Sequence, residues 1–506
     1  MRLSRQPGVR PGNAERLERA AALIAGIICL AGIVVRLDGL GLQSYWTDEQ
    51  FTVRQVSGSF DQLWTIGQTE VHTPFYAVLC WLWLGLGSAE PHWMRLLNAV
   101  AGCASVLVVW WAMGRTRLPR MARVLLCAAT AGNGAGILYG QDVRPYGLLW
   151  LASVGLMGAT LQDVCPRNEG WRWWPGWTAW AVLASLSHLF GLVLAASSAV
   201  VLVGSRRVSK PSAAAALGVA SLPQTIWILH GLFFVPGFAE GAKFTSPGWR
   251  EIGVWLTSTF AADGLTAQSG GFEWSSPALL LGVVALLLVG AAQRLSSRGL
   301  PPSSPSDRTL QTAAATMLAT ALLMAVGVFL TSQVVPLWTT RNMLAASPAL
   351  AWGLMLAALW LPVDRRTRSW VALLLAVALM TTLAGVREEV RRPYKTDFLG
   401  VALKVMEERR RDPSIRLIGN IGPSWLVGAP ASVLADPDAE ILLTPTATVG
   451  RHRFPAGATA RPGKTIYVFY LSISAPIGTA DQYVINLAGP NCKAVPATGL
   501  VYVRCG

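Results

Sequence analysis

The chain has 506 residues, 53% of them hydrophobic and only 14% charged, with 22 Trp and a formal net charge of +15. Soluble domains carry about 25% charged residues, so this balance excludes a soluble globular protein and implies a polytopic membrane protein. The 42 Lys+Arg, set against 27 Asp+Glu, fall in short runs between apolar segments rather than on one domain face, so they read as topology signals and not as a nucleic-acid surface.

A membrane helix needs about 20 mostly apolar residues. Segments of this character run over 20–36, 73–87, 96–113, 122–138, 147–162, 176–187, 189–204, 212–235, 276–292, 310–330, 342–362 and 369–385. The basic stretches Arg2 to Arg19, Arg115 to Arg123, Arg206 to Lys210, Arg294 to Arg308 and Arg365 to Arg368 mark the cytoplasmic side. The loops 37–72, 139–146, 236–272 and 331–341 are then expected outside, and residues 1–19 inside. Three apolar segments separate two basic stretches that both belong inside, so one of the three must be partial. The short segment 73–87, entered through His72-Thr73-Pro74, is the expected one. This gives about eleven full spans within about 11–13 membrane segments, and a C-terminus outside. No small-residue cleavage site follows 20–36, which is read as a retained first helix.

From about Val386 the pattern becomes that of a soluble domain, and residues 386–506 are expected to form a small extracytoplasmic α/β unit. Asp397 to Arg411 places Leu399, Ala402, Val405 and Met406 on one helical face. Short β-like runs follow at Ile415 to Ile418, Glu440 to Leu443, Thr465 to Leu471, Tyr483 to Leu487 and Leu500 to Val503. Outside the cytoplasm Cys492 and Cys505 fit a disulfide, with two free thiols as the alternative.

Polar residues collect on the expected outer face. Trp46-Thr47-Asp48-Glu49 sets two carboxylates behind an aromatic residue. Thr47 or Asp48 as a helix N-cap, with Glu49 on the dipole and Phe51, Val53 and Val56 as an apolar stripe, is the structural reading. A partly desolvated carboxylate that deprotonates a hydroxyl is the functional one, and the two are compatible. His72-Thr73-Pro74-Phe75-Tyr76 opens the next segment, either as a first-turn proline with an interfacial histidine or as part of a site. Tyr139-Gly140-Gln141-Asp142-Val143-Arg144-Pro145-Tyr146 puts an Arg and an Asp at membrane depth, where charges are costly unless paired or used. Trp338-Thr339-Thr340-Arg341 carries the lone cation of its loop, a snorkelling Arg or a ligand for an anion. His188, in Ser187-His188-Leu189, is more often structural. A carboxylate base and two cations facing one side suit sugar transfer from a polyprenyl phosphate: the base activates the acceptor hydroxyl and guanidinium groups hold the departing phosphate. No P-loop, GxGxxG, HExxH or cysteine cluster is present, which argues against ATP-driven transport, nicotinamide chemistry and metalloprotease activity, and no cofactor is expected.

In order and spacing, Trp46-Thr47-Asp48-Glu49, His72-Thr73-Pro74-Phe75-Tyr76, Gln141-Asp142-Val143-Arg144-Pro145-Tyr146 and Thr340-Arg341-Asn342-Met343 resemble the GT-C glycosyltransferases. The branch they are most similar to holds the bacterial relatives of protein O-mannosyltransferases and the aminoarabinose transferases of lipid A. The similarity runs over most of 20–385, which would then be the catalytic membrane domain. It implies a metal-independent, inverting transferase that uses a polyprenyl-phospho-sugar donor and an extracytoplasmic glycan, lipid or protein acceptor. By position Asp48 resembles the catalytic base and Glu49 its partner. Arg144, Arg341 and His72 are the candidates for the donor phosphate, with Trp46, Tyr76, Tyr139, Asp142, Tyr146, His188 and Trp338 as weaker substrate contacts. Two departures matter: Thr73 stands where the family often has Pro, and Asn342 where it often has Tyr. Composition is compatible with a high-GC bacterium, for which decaprenyl-phospho-mannose or decaprenyl-phospho-arabinose would be natural donors. Transfer of a larger glycan, a lipid-linked sugar transporter or flippase, and a non-catalytic glycolipid scaffold are the alternatives. A transporter calls for polar residues at mid-membrane in several helices.

Overall fold

The computed structural model describes residues 13–68, 70–167, 174–236, 246–259, 304–361, 365–391, 398–419, 446–449, 452–455, 465–470, 491–495 and 500–505. The expected span 276–292 and the expected strands at Glu440–Leu443 and Tyr483–Leu487 lie outside them. The described residues are mostly helical, and by contacts the chain divides into two units: Met1–Asp38, Gly67–Tyr76 and Asn98–Val390, and Gly39–Ile66, Ala77–Leu97 and Arg391–Gly506. The soluble tail expected from residue 386 thus falls in a unit that also takes most of the first external loop.

Helices run in the order α1 Asn13–Leu37, α2 Thr47–Val56, α3 Phe60–Gly67, α4 Phe75–Leu84, α5 Pro91–Gly114, α6 Arg120–Ala131, α7 Gly134–Leu138 and α8 Tyr146–Val164. They continue with α9 Trp174–Ser187, α10 Leu189–Gly204, α11 Lys210–Phe234, α12 Trp249–Ser258, α13 Pro305–Ser332, a 3-10 turn Asn342–Ala346 leading into α14 Ser347–Leu359, α15 Arg365–Arg391 and α16 Phe398–Arg411. Among the described residues seven helices are long and apolar enough to cross a membrane, or eight if the bent pair α6–α7 counts as one span. The chain is a multi-pass membrane protein. α4, at 10 residues, rises only about 15 Å and falls short of a bilayer of about 30 Å. The expected spans 176–187 and 189–204 form helices of 14 and 16 residues, also short of a full crossing, because His188 breaks one apolar run into two.

The membrane unit packs α1 on α6, α8 on α9, α9 on α10 and α11, and α13 on α14. α1 and α6 approach so closely at Gly32 that a β-carbon there would lie 2.5 Å from the Ala131 carbonyl oxygen. Just beyond, the expected span 122–138 breaks, and the two halves meet at 49°. Carbonyls freed by a break at membrane depth need donors. Arg36, 1% exposed, supplies them, donating to Gly32 at 3.0 Å, to Thr130 at 2.8 Å and to Ala131. Asn133 caps the second half by accepting the Gly136 N–H at 2.7 Å. In return the Gln141 amide donates to the carbonyls of Val35, Arg36 and Asp38 at the end of α1, at 3.1, 3.2 and 2.8 Å. α1 and the turn after α7 are therefore locked by reciprocal capping, which fixes where the following residues, Asp142 to Arg144, stand.

In the second unit the tail forms a four-stranded sheet. Its strands are β1 Arg416–Gly419, β4 Thr465–Tyr470, β5 Cys492–Ala494 and β6 Leu500–Cys505, in the order β1-β4-β6-β5, with a separate hairpin of β2 Thr446–Val449 and β3 His452–Pro455. β1 runs parallel to β4, and the other pairs are antiparallel. Val401, Val405 and Met406 of α16 are buried. Tyr502 donates to Glu408 at 3.0 Å and Arg504 pairs with the same carboxylate at 3.0 Å. Cys492 and Cys505 face each other in the β5–β6 register and form a disulfide.

Candidate functional site

Asp48 and Glu49 sit in the first turn of α2, whose N-cap is Trp46. The expected cap, Thr47 or Asp48, is therefore one or two residues late. The reason is Glu49, which reaches back from the third helical position to accept the Trp46 N–H at 3.3 Å, so the helix begins one residue earlier. Glu49 is fully buried and forms a fork with Arg95 of α5, Nε to Oε1 at 2.8 Å and Nη2 to Oε2 at 2.7 Å. Arg95 also donates to the carbonyls of Leu40 and Gln43 at 2.8 Å each and of Ser44 at 3.0 Å. Its guanidinium lies 5.4 Å from the centre of the Tyr45 ring, and the Tyr45 hydroxyl donates to Ala89 at 2.7 Å. Burial, then the Glu49 charge, pushes the Tyr45 hydroxyl up, so it stays a neutral donor at any physiological pH. Asp48 is half-buried. Successive helical residues point about 100° apart, so with Glu49 turned inward Asp48 is directed elsewhere.

In the membrane unit a second group of expected residues comes together. The rings of His72 and His188 lie 4.1 Å apart, Tyr146 lies 6.0 Å from His188, and Tyr139 lies 5.5 Å from Tyr146. Arg144 approaches Glu70 at 4.0 Å, and the charges of Arg144 and Arg341 both bear on His188. Burial first, and then Arg144, push the His72 imidazole down to about 3. Burial, His72, Arg144 and Arg341 push His188 well below the ordinary histidine range. Both are neutral at pH 7, where they act as hydrogen-bond groups and not as cations. His188 Nδ1 accepts the Phe190 N–H at 3.2 Å, which places the His188 proton on Nε2. His72 Nδ1 is buried with no hydrogen-bond partner among the described residues. Two guanidinium groups, with the carboxylates of Glu70 and Asp142 in the same group, stand beside two neutral imidazoles and two phenols, a donor-rich site suited to a phosphate.

The segments that carry these groups are held through their backbones. Asn98 of α5, 1% exposed, donates to the carbonyl of Arg144 at 2.6 Å, to that of Asp142, and to the Tyr76 hydroxyl at 2.8 Å. Gln224 donates to Val71 at 3.0 Å, Trp227 to Glu70 at 2.9 Å, and Thr73 to Leu186 at 2.5 Å. Thr73 thus uses its hydroxyl to join the His72 segment to the end of α9. Asn342 ties back the Arg341 turn by donating to the Leu337 carbonyl at 2.7 Å. Trp338 lines an apolar cavity of ≈ 510 Å³ with Trp249, Trp255, Leu322, Phe329 and Leu350.

Arg95 and Asn98 were not among the residues singled out from the sequence. The signal available was a lone Arg on the expected outer side and a buried amide two residues inside an apolar segment, neither of which topology explains. Among the described residues no group of three or more His, Cys, Asp or Glu side chains is arranged to hold a metal ion.

No family model and no curated protein matches the chain. Among solved structures it is similar to the crystal structure of ArnT from Cupriavidus metallidurans in the apo state, with a TM-score of 0.53 and 12% identity over 95% of this chain and 97% of that chain. The same protein bound to undecaprenyl phosphate aligns at a TM-score of 0.48 and 11% identity, with the same coverage of both chains. At this identity the first alignment establishes the fold.

Proposed function

We propose that this chain, which has the polytopic GT-C fold of ArnT, is a membrane glycosyltransferase. It takes a sugar from a polyprenyl-phosphate-linked donor and passes it to an acceptor hydroxyl on the extracytoplasmic side. The observation that carries the reading is the group in the membrane unit: Arg144 acts on both members of a pair of histidines held neutral by burial, and Arg341 on His188. A phosphate is a ligand that such a group suits. A transporter would instead need its charges distributed along a path through several helices.

In the reaction the acceptor oxygen attacks the anomeric carbon, the carbon–oxygen bond to phosphate breaks, and the configuration inverts. Asp48 takes the proton released by the acceptor hydroxyl, and the polyprenyl phosphate departs with the bonding electrons. Arg144 and Arg341 stabilise the charge that grows on that phosphate, with His72 and His188 as neutral neighbours. Donors that carry mannose or arabinose are the first to examine, with a glycan, a lipid or a protein as acceptor. The soluble tail, with its disulfide on the outer side, is assigned to acceptor recognition.

The test is release of free polyprenyl phosphate from a panel of polyprenyl-phospho-sugars by purified, lipid-reconstituted protein supplied with a membrane extract. Wild type should turn over, and Asp48→Asn should bind donor yet lose about 10²- to 10⁴-fold in rate, the usual share of a general base. Equal turnover by both proteins would remove Asp48 from the mechanism. Donor binding without turnover in either would favour a transporter or scaffold.

A further inference from the structure

We propose that Arg95 and Glu49 are a positioning pair that sets the direction of the Asp48 carboxylate, so that Glu49 itself takes no part in proton transfer. The proposal rests on the transferase reading above. A guanidinium carries five N–H donors. In Arg95 all five are spent: Nε on Glu49 Oε1, one Nη on the carbonyls of Leu40 and Gln43, the other on the carbonyl of Ser44 and on Glu49 Oε2. The side chain is 2% exposed and that of Glu49 is fully buried. No donor is left for a substrate phosphate, so Arg95 is not a third phosphate ligand despite its type.

Glu49 is equally committed. Its two oxygens accept from Arg95 Nε, from Arg95 Nη2 and from the Trp46 N–H. To act as a base it would have to give up two charge-assisted bonds in a site that water does not reach, which favours its staying ionised and in place. The carbonyls of Leu40, Gln43 and Ser44 come from the loop that leads into α2, and Glu49 comes from the first turn of α2 itself. One guanidinium therefore ties the entry of the loop to the start of the helix, with Asp48 between them. Gln50 adds a second tie by donating to the Tyr45 carbonyl at 3.0 Å. Neighbouring carboxylates on one helix thus divide the work: Glu49 turns inward as an anchor and Asp48 points about 100° away. A displacement of about 1 Å at a reacting group costs on the order of 10²-fold in rate, which is the scale of effect a positioning pair can have.

Arg95→Lys keeps the charge and breaks the fork, since an ammonium has three donors and no plane. In full-length reconstituted protein it should remain folded, keep the donor KM within about twofold, and lose about 30- to 100-fold in kcat. Amide exchange over residues 43–50 should rise at least about tenfold, because the ties that protect this loop are gone. The decisive variant is Asp48→Asn combined with Arg95→Lys. If Arg95 acts through Asp48, the pair is no slower than Asp48→Asn alone; a general structural role would multiply the two losses. Wild-type kcat in folded Arg95→Lys, a raised KM at unchanged kcat, or multiplying losses would each overturn the proposal. So would unchanged exchange in Arg95→Lys, which is read without any substrate. A wild-type protein that turns over no donor refutes the transferase reading and the catalytic part of the proposal with it, while loosened exchange would still support the anchor.

Discussion

Around Asp48 the fixed cation is consumed by the protein: Arg95 spends every donor on the loop and on Glu49, and the neighbouring carboxylate is left half-buried. Around Arg144 the anchor is a neutral amide instead. Asn98 grips the backbone carbonyls of Asp142 and Arg144, which fixes this turn through its backbone. Three arginines on the expected outer face would look alike in a list of charges, yet one is structural and two are suited to an anion. Arg95 is set apart by what its guanidinium spends on its own scaffold, because a buried cation whose donors are all satisfied has no reason to bind anything else.

Neutralising a cation that serves a ligand should cost binding, whereas neutralising one that serves the scaffold should cost folding. Arg144→Gln is expected to weaken binding of a polyprenyl-phospho-sugar by about 10- to 100-fold, the loss of one charge-assisted contact of roughly 1.4–2.8 kcal/mol. Thermal unfolding should stay near wild type. Titration of labelled donor into reconstituted protein measures the first and a melting curve in detergent the second; equal loss of folded protein would make Arg144 structural and dissolve the contrast with Arg95. Asn98→Leu probes the same region with a smaller expected effect on binding. It leaves the carbonyls of Asp142 and Arg144 and the Tyr76 hydroxyl without their donor, which should cost about 1–3 kcal/mol of stability. The donor KM should rise only a few-fold, since the guanidinium itself is retained.

The membrane helices were legible because lipid imposes a length and a composition. Their breaks were not. Gly132-Asn133-Gly134 is a turn signal within 122–138, but the apolar run on both sides reads as one span, and the carbonyl of Ala131 at the bend of 49° is satisfied by Arg36, 95 residues away in the chain. Likewise 176–204 read as two spans, although the helices on either side of His188 are 14 and 16 residues long. The site residues within motifs were legible for the opposite reason: local chemistry such as Asp48-Glu49 or Asp142-Arg144 is unusual beside a membrane. What the sequence hid was partnership. Glu49 looked like a second catalytic carboxylate until Arg95, 46 residues on, was seen to hold it. In the tail, β1, β4 and β6 overlap the apolar runs at Ile415 to Ile418, Thr465 to Leu471 and Leu500 to Val503, whereas β2, β3 and β5, with the sequences TATV, HRFP and CKA, have no apolar run to show them.

The mildest perturbation is a proton, and it separates the two regions without any mutation. His72 titrates at about 3 in the fold, against about 6.5 for an unperturbed imidazole. Between those values the unfolded chain binds a proton that the folded chain refuses, so stability is full above about pH 6.5 and is lost as pH falls toward 3. From pH 7 to pH 5 the loss from this one group is about 2 kcal/mol, and His188, shifted in the same direction, adds to it. The cause is local: burial, with Arg144 acting on both imidazoles, Arg341 on His188, and Glu70 as the carboxylate nearest Arg144. His72→Gln should therefore flatten the melting temperature between pH 7 and pH 5, while Arg95→Lys should lower it at both pH values and leave the acid loss of the imidazole pair in place. A bound phosphate reverses the local sign of charge, so donor should raise both imidazoles and shrink the acid loss in wild type. An acid loss that donor leaves unchanged would mean that the histidines do not face the phosphate.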